Sequence, residues 1–170
     1  ALMAGGIGPG DEVIIPTRTF IATAHAASLL GAKVALVDCL KASTAIDIDH
    51  VAENITPRTK AVMPVHLNGR GCDMTALNAL AKENGMIVIE DACQAMFSRG
   101  PDGYQGTVGD FGCFSFGMAK LVSTGQGGAI VTRDKEMYEK LSIIRNHGVA
   151  DVVSHAYLMP AHNFKFNDIQ

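Results

Sequence analysis

The sequence predicts an α/β domain of three layers, a mostly parallel mixed sheet with helices on both faces. Short β-branched runs alternate with helical patterns along the chain, which is the signature of βαβ units. Two late runs lie close enough to pair as a hairpin or mixed pair, which adds an antiparallel member to the sheet. The 170 residues fit one domain, 1–170, and suffice to bury a core.

Each element has a local reason. The chain opens on "ALMAGG", which reads as the last turn of a helix, and "GGIGPG" (5–10) then turns into a strand "DEVIIP" (11–16). A helix "FIATAHAASLLG" (20–31) and a strand "KVALVD" (33–38) complete the first βαβ unit. A helix around "DIDHVAENI", a strand "KAVMPV" (60–65), a helix "MTALNALAKENG" (74–85) and a strand "MIVIED" (86–91) repeat the rhythm. Gly85 is placed to end its helix in a left-handed conformation. After the polar loop "SRGPDGYQGTVGD" come strands "FGCFSF" (111–116) and "GGAIVT" (127–132), which flank Lys120. Asp134 is placed to cap "KEMYEKLSIIRNHG", a helix with Met137, Leu141 and Ile144 on one face and Gly148 past its end. Residues 149–170 carry no periodicity and read as irregular loop.

Composition narrows the function. A net charge of −3 without a Lys/Arg cluster leaves no footprint for nucleic acid or an anionic membrane, and no apolar run reaches the length of a span. A small-molecule partner fits better. Cys39, Cys72, Cys93 and Cys113 form no CxxC pair for zinc or redox chemistry, and they read as reduced thiols of a cytoplasmic protein. The N-terminal residues do not resemble a secretory signal.

Several motifs compete for a chemical role. "GGIGPG" has dinucleotide-type glycines, but they precede a strand instead of following one, so a turn is the better reading and NAD binding is disfavoured. His66 and Cys72 in "VHLNGRGCD" are too sparse for a metal site and read as loop packing. The histidines at 25, 50, 147, 155 and 162 are scattered and support no hydrolase triad. Glu90 and Asp91 end a strand, where open α/β sheets bind ligands; the plainer alternative is that they cap a following helix.

Lys120 decides between these. A lone lysine is ordinarily a solvated surface group, yet this one sits among Phe114, Phe116, Met118 and Leu121. Such surroundings would desolvate the amine and make it a nucleophile for Schiff-base chemistry. An Asp at a strand end and a Lys 29 residues later, one strand away, are what pyridoxal phosphate needs: an aldehyde anchor and an anion for the pyridinium nitrogen.

The segments "GIGPGDEVIIPTRTFIATAHAASLLGAKVALVD", "AVMPVHLNGRGCDMTALNALAKENGMIVIEDACQA", "FSFGMAKLVSTGQGGAIVT" and "HNFKFNDIQ" resemble the DegT/DnrJ/EryC1/StrS family of PLP-dependent nucleotide-sugar aminotransferases, in that family's order and spacing. The resemblance implies the PLP-transferase-like large domain of the fold type I aspartate aminotransferase superfamily, incomplete at both ends. A phosphate loop would lie upstream of residue 1 and a smaller domain beyond residue 170. It implies that Lys120, in an S-F-x-x-x-K pattern, forms the Schiff base with pyridoxal 5′-phosphate, and that Ser115 binds the cofactor phosphate. Asp91 would hold the pyridinium N–H, Gln94 would sit beside the phenolic oxygen, and Phe20 would stack on the ring. Asn163 would reach a phosphate in the neighbouring subunit of a homodimer with shared active sites.

The implied reaction moves an amino group from a donor such as glutamate to a nucleotide-linked keto-sugar, for amino-sugar and cell-surface polysaccharide biosynthesis. Family members that act as dehydratases replace the lysine, usually by histidine, so Lys120 favours transamination. Gln126 and His162 stand where glutamate and glycine are usual. Two other classes stay open: a binding or regulatory protein that keeps the fold without catalysis, and a PLP-dependent dehydratase or lyase.

Overall fold

The computed structural model describes residues 1–151, 153–154 and 156–168; His155 and the final "IQ" of the last motif lie outside them. Ala1 to Ile7 close as a helix end. The Gly5 N–H donates to the Ala1 carbonyl, the Ile7 N–H donates to the Leu2 carbonyl, and Gly6 takes φ +78° between them. That is the left-handed stop glycine makes easily.

Strand β1 (Glu12–Pro16) is buried along its whole length, as its unbroken apolar run requires of a central strand. It pairs in parallel with β2 (Lys33–Val37) on one side and β3 (Thr59–Val62) on the other. The sheet continues through β4 (Ile87–Asp91) and β7 (Phe111–Ser115), and ends on β8 (Gly128–Val131), which runs antiparallel to β7. The resulting order is β2-β1-β3-β4-β7-β8, a mixed and mostly parallel sheet.

Alternation along the strands builds two cores. Val13, Ile15, Met63, Ile89 and Phe111 pack on one face with Ala27 of α1 (Ala22–Ser28) and Ile144 of α4 (Lys135–Arg145). Ile14, Val37, Val62 and Val88 pack on the other with Val51 of α2 (Ile48–Glu53) and Leu77 of α3 (Met74–Glu83). The three layers follow from this two-sided burial. The Asp134 carboxylate caps α4 as the sequence predicts, and those of Asp47 and Asp73 likewise accept from N–H groups in the first turns of α2 and α3. Gly85 ends α3 at φ +64°. At the amino end of the sheet, buried Glu12 accepts from Lys33 Nζ at 2.8 Å and from the Thr56 and Thr59 hydroxyls, joining three strands away from the site.

Helix α1 is shorter than the sequence suggests, because Phe20 and Ile21 precede it and lie exposed. The reading of 149–170 as irregular is corrected: β9 (Val149–Asp151) pairs antiparallel with β10 (Ala156–Tyr157). The Asp151 carboxylate makes that turn by accepting from the Val153 and Ser154 N–H groups. The polar loop after β4 likewise contains a small hairpin, β5 (Arg99–Gly100) with β6 (Gly103–Tyr104).

Gly112 is required where β7 passes that loop, because a Cβ there would overlap the Gly106 carbonyl. Since the obstacle is backbone, Gly112→Ala is expected to cost about 2–3 kcal/mol of stability. A urea unfolding curve compared with the native protein checks this, and a loss under ~0.5 kcal/mol, the range of neutral surface changes, would refute it.

Candidate active site

The carboxyl ends of β4 and β7 lie side by side, with Asp91 in register with Cys113. Ser115 follows two residues later on the same face, and the chain then leaves the sheet for the turn that carries Lys120. Backbone bonds close this excursion: the Phe116 N–H donates to the Gly127 carbonyl, Thr124 to Phe116, and Lys120 to Gly117. Gly127, at φ +136°, brings the chain back into β8 beside Phe166, whose ring lies 6.0 Å from that of Phe116.

The expected apolar enclosure of Lys120 is corrected in part. Met118 and Leu121 are 79% and 77% exposed, and Lys120 itself is half-buried. The reason is geometric: the chain leaves the sheet here as a turn, and Met118, Ala119, Leu121, Val122 and Ser123 all lie exposed on it. Among the described residues Lys120 Nζ makes no hydrogen bond or ion pair.

Asp91 is half-buried and is held only by donors. The Thr23 hydroxyl donates to its Oδ2 at 2.7 Å, and the Cys93 N–H donates to Oδ1 at 3.2 Å. Asp91 does not cap a helix, since the next elements after β4 are strands β5 and β6. Cys93, two residues past Asp91, feels both side chains. Burial pushes its thiol far up, the Asp91 charge adds to this, and the Lys120 charge pulls in the opposite direction. One thiol thus lies within electrostatic reach of both.

The remaining candidates fall around this pair, with one exception. Ser115 Oγ accepts from the Gly117 N–H at 3.3 Å. Gln94 is exposed, and its Oε1 accepts from the Asn68 N–H at 3.2 Å. Phe20 is 69% exposed just before α1, the helix that also supplies Thr23. Asn163 is the exception: it bridges Asn146 beyond α4, its Oδ1 accepts from the Lys165 N–H, and no hydrogen bond joins it to the others.

Glu90, adjacent to Asp91, points to the opposite face and is fully buried. It accepts from His66 Nε2 and from the Gly106, Val108 and Gly109 N–H groups, all at 2.7–2.8 Å. His66 is thereby a core residue, as loop packing predicts. Sequence reasoning missed Thr23 and the part played by Glu90; the one local trace of Thr23 is its i,i+4 spacing from Thr19. Two recesses, of about 240 Å³ beside Thr107 and Arg133 and about 600 Å³ beside His147 and Leu158, include none of the candidates. The Asp91–Lys120 edge is open, and its chemistry outweighs cavity size in locating the site.

The fold defines an α/β protein whose mostly parallel sheet carries a donor-supported carboxylate at its carboxyl edge, where such sheets bind ligands, and a lysine on the adjoining turn. The chain belongs to the DegT/DnrJ/EryC1/StrS aminotransferase family, whose sequence pattern matches residues 1–170. It is 45% identical to a UDP-N-acetyl-3-dehydro-alpha-D-glucosamine 3-aminotransferase of Acidithiobacillus ferrooxidans, over 100% of this chain and 46% of that protein. The crystal structure of 3-amino-5-hydroxybenzoic acid synthase superposes with a TM-score of 0.93 at 36% identity, covering 99% of this chain and 44% of the other. NtdA of Bacillus subtilis, with its cofactor PMP bound, superposes with a TM-score of 0.91 at 35% identity, over 99% and 38%. The chain spans about half the length of the curated relatives it matches. No helix among the described residues is long and apolar enough to cross a membrane.

Proposed function

We propose that these 170 residues are the cofactor-binding domain of a pyridoxal phosphate-dependent aminotransferase. Its substrates are an amino donor such as glutamate and a nucleotide-linked keto-sugar, and it works in the cytoplasm as a homodimer with shared sites. Amino-sugar biosynthesis, including cell-surface polysaccharide, is the process it serves. The carrying observation is the placement of Asp91 at the carboxyl end of β4, in register with Cys113 of β7, the strand that leads into the turn bearing Lys120. The relatives support the reading: one aminates a nucleotide-linked sugar by name, and another holds PMP, the aminated form of the same cofactor.

The residues fit the cofactor by their donor and acceptor states. Asp91 receives one protein donor on each oxygen and keeps lone pairs for a pyridinium N–H. Ser115 accepts from Gly117 with its oxygen and keeps its proton to donate to a phosphate oxygen. Gln94 has its oxygen occupied by Asn68 and keeps its NH₂ donors for a phenolic oxygen. Phe20 offers a solvent-facing ring for stacking. Asn163, which makes no hydrogen bond to these side chains, suits a role in the partner's site.

When bound, pyridoxal phosphate supplies an aldehyde carbon and an electron-withdrawing ring. Lys120 is the residue that would anchor that carbon through its amine, and the same amine, when free, would carry a proton to or from the substrate carbon. Asp91 would accept the hydrogen bond of the ring N–H. The test is borohydride reduction of the native-length protein with pyridoxal phosphate, followed by peptide mass mapping. An adduct confined to Lys120 is expected; no adduct, or one spread over other lysines, would overturn the reading.

A further inference from the structure

The carboxylate at the centre of the site is reached by a chain of two hydroxyls. Thr23 is 3% exposed, lies in α1, and donates to Asp91 Oδ2 at 2.7 Å. Its oxygen lies 2.6 Å from the Thr19 hydroxyl. A hydroxyl has a single proton, and an ionised carboxylate can only accept. The Thr23 proton is therefore committed to Asp91, and its oxygen must accept from Thr19. Thr19 has a competing acceptor in the Phe20 carbonyl, but at 3.3 Å that is the weaker partner. The order of donation is thus fixed from Thr19 through Thr23 to Asp91.

Two effects follow. An aspartate's terminal torsion is soft, and a hydroxyl on one oxygen with the Cys93 N–H on the other fixes the plane of the carboxylate. Successive hydrogen bonds also polarise one another in the same direction, which strengthens the contact at Oδ2. A threonine that served only helix packing would return its hydroxyl to a carbonyl of its own helix. Thr23 instead spans 68 residues of sequence to the one carboxylate at the site.

We infer that Thr23, supported by Thr19, is a positioning residue that orients Asp91 and holds it as an acceptor for the cofactor's ring nitrogen. The inference rests on the proposed function. It is tested in the native-length protein with Thr23→Val, Thr23→Ser and Thr19→Val. Dissociation constants for pyridoxal phosphate are read from the visible absorption of the Lys120 adduct, and melting midpoints are taken without cofactor. Valine keeps the branched shape and loses the hydroxyl; serine keeps the hydroxyl and loses the buried methyl.

The hydrogen bond to a charged group predicts about tenfold weaker binding for Thr23→Val and about twofold or less for Thr23→Ser. Thr19→Val falls between them. A packing role predicts the reverse order, with serine the more damaged in both affinity and melting. Equal affinities, or that reverse order, overturn the inference. If Thr23→Val does not fold, Thr19→Val must still bind more weakly than Thr23→Ser, or the inference fails. A native protein that gives no Lys120 adduct overturns the proposed function, and this inference with it, whereas an adduct unaffected by loss of the hydroxyls overturns this inference alone.

Discussion

Lys120→Ala is expected to lower the rate of amino transfer by ~10³-fold or more, since it removes both the covalent anchor and a proton carrier, and proton transfer alone contributes about 10²–10⁴-fold. Lys120→Arg is expected to be no better. A guanidinium keeps the positive charge but does not deprotonate in proteins, so it can neither bond to the aldehyde carbon nor accept a proton. The pair therefore separates the amine's chemistry from its charge. Neither change should unfold the protein. Lys120 sits half-buried on a turn closed by backbone bonds from Lys120 to Gly117 and from Thr124 to Phe116, which survive loss of the side chain. Stability should move by no more than ~0.5 kcal/mol, as for other substitutions outside a packed core. Single-turnover assays with glutamate and a nucleotide-linked keto-sugar read the effect. Either variant retaining a rate within tenfold of the native protein would remove Lys120 from the chemistry.

The sheet was legible in the sequence because burial on both faces writes an apolar run directly into each central strand. "EVIIP" is buried throughout, and Glu12 is held at its start by polar partners. Helix ends were legible for a similar reason: Asp134 and Gly85 act within a few residues of their own position, so their roles are local. The hairpins β5–β6 and β9–β10 left no such record. Their strands are two or three residues long, too short for a period, and the second depends on one carboxylate capping a turn.

The candidate site divides along the same line. Asp91 was visible as the last residue of a strand, and Lys120 as an amine in an apolar stretch. The degree of its enclosure was not visible, because side chains on a turn at an open edge follow no strand or helix period; Met118 and Leu121 face outward. Thr23 was hidden because its partner lies 68 residues away, and a buried threonine in a helix looks like any other small core residue. Glu90 was hidden because its four partners come from two separate loops.

Glu90→Gln is expected to destabilise the protein by about 3–5 kcal/mol, the size found when one partner of a buried charged network is removed. Shape is almost conserved, but an NH₂ group replaces either Oε1, which faces the Val108 and Gly109 N–H groups, or Oε2, which faces the Gly106 N–H and His66 Nε2. Donors then oppose donors in a site without water access. The pH dependence carries the sign of the cause. Burial alone would push the Glu90 carboxyl up, but the His66 ring and the three backbone N–H groups outweigh it and hold it below the ordinary 4.5. A lowered folded value means that the stabilisation is complete above the unfolded value and is lost as pH falls through the folded one. The stability gap between native protein and variant should therefore be constant near neutrality and narrow as acid is added below that value. Urea unfolding of both proteins across this range measures the gap. A difference below ~1 kcal/mol at neutral pH, no more than an ordinary substitution causes, or a gap that widens in acid, would show that Glu90 does not hold the loop. The consequence reaches the site, because the loop that Glu90 grips packs against β7, and β7 sets Cys113 beside Asp91 before delivering Ser115 and Lys120. Loss of the carboxylate on one face of the sheet is therefore expected to weaken pyridoxal phosphate binding on the other, even under conditions where the variant remains folded.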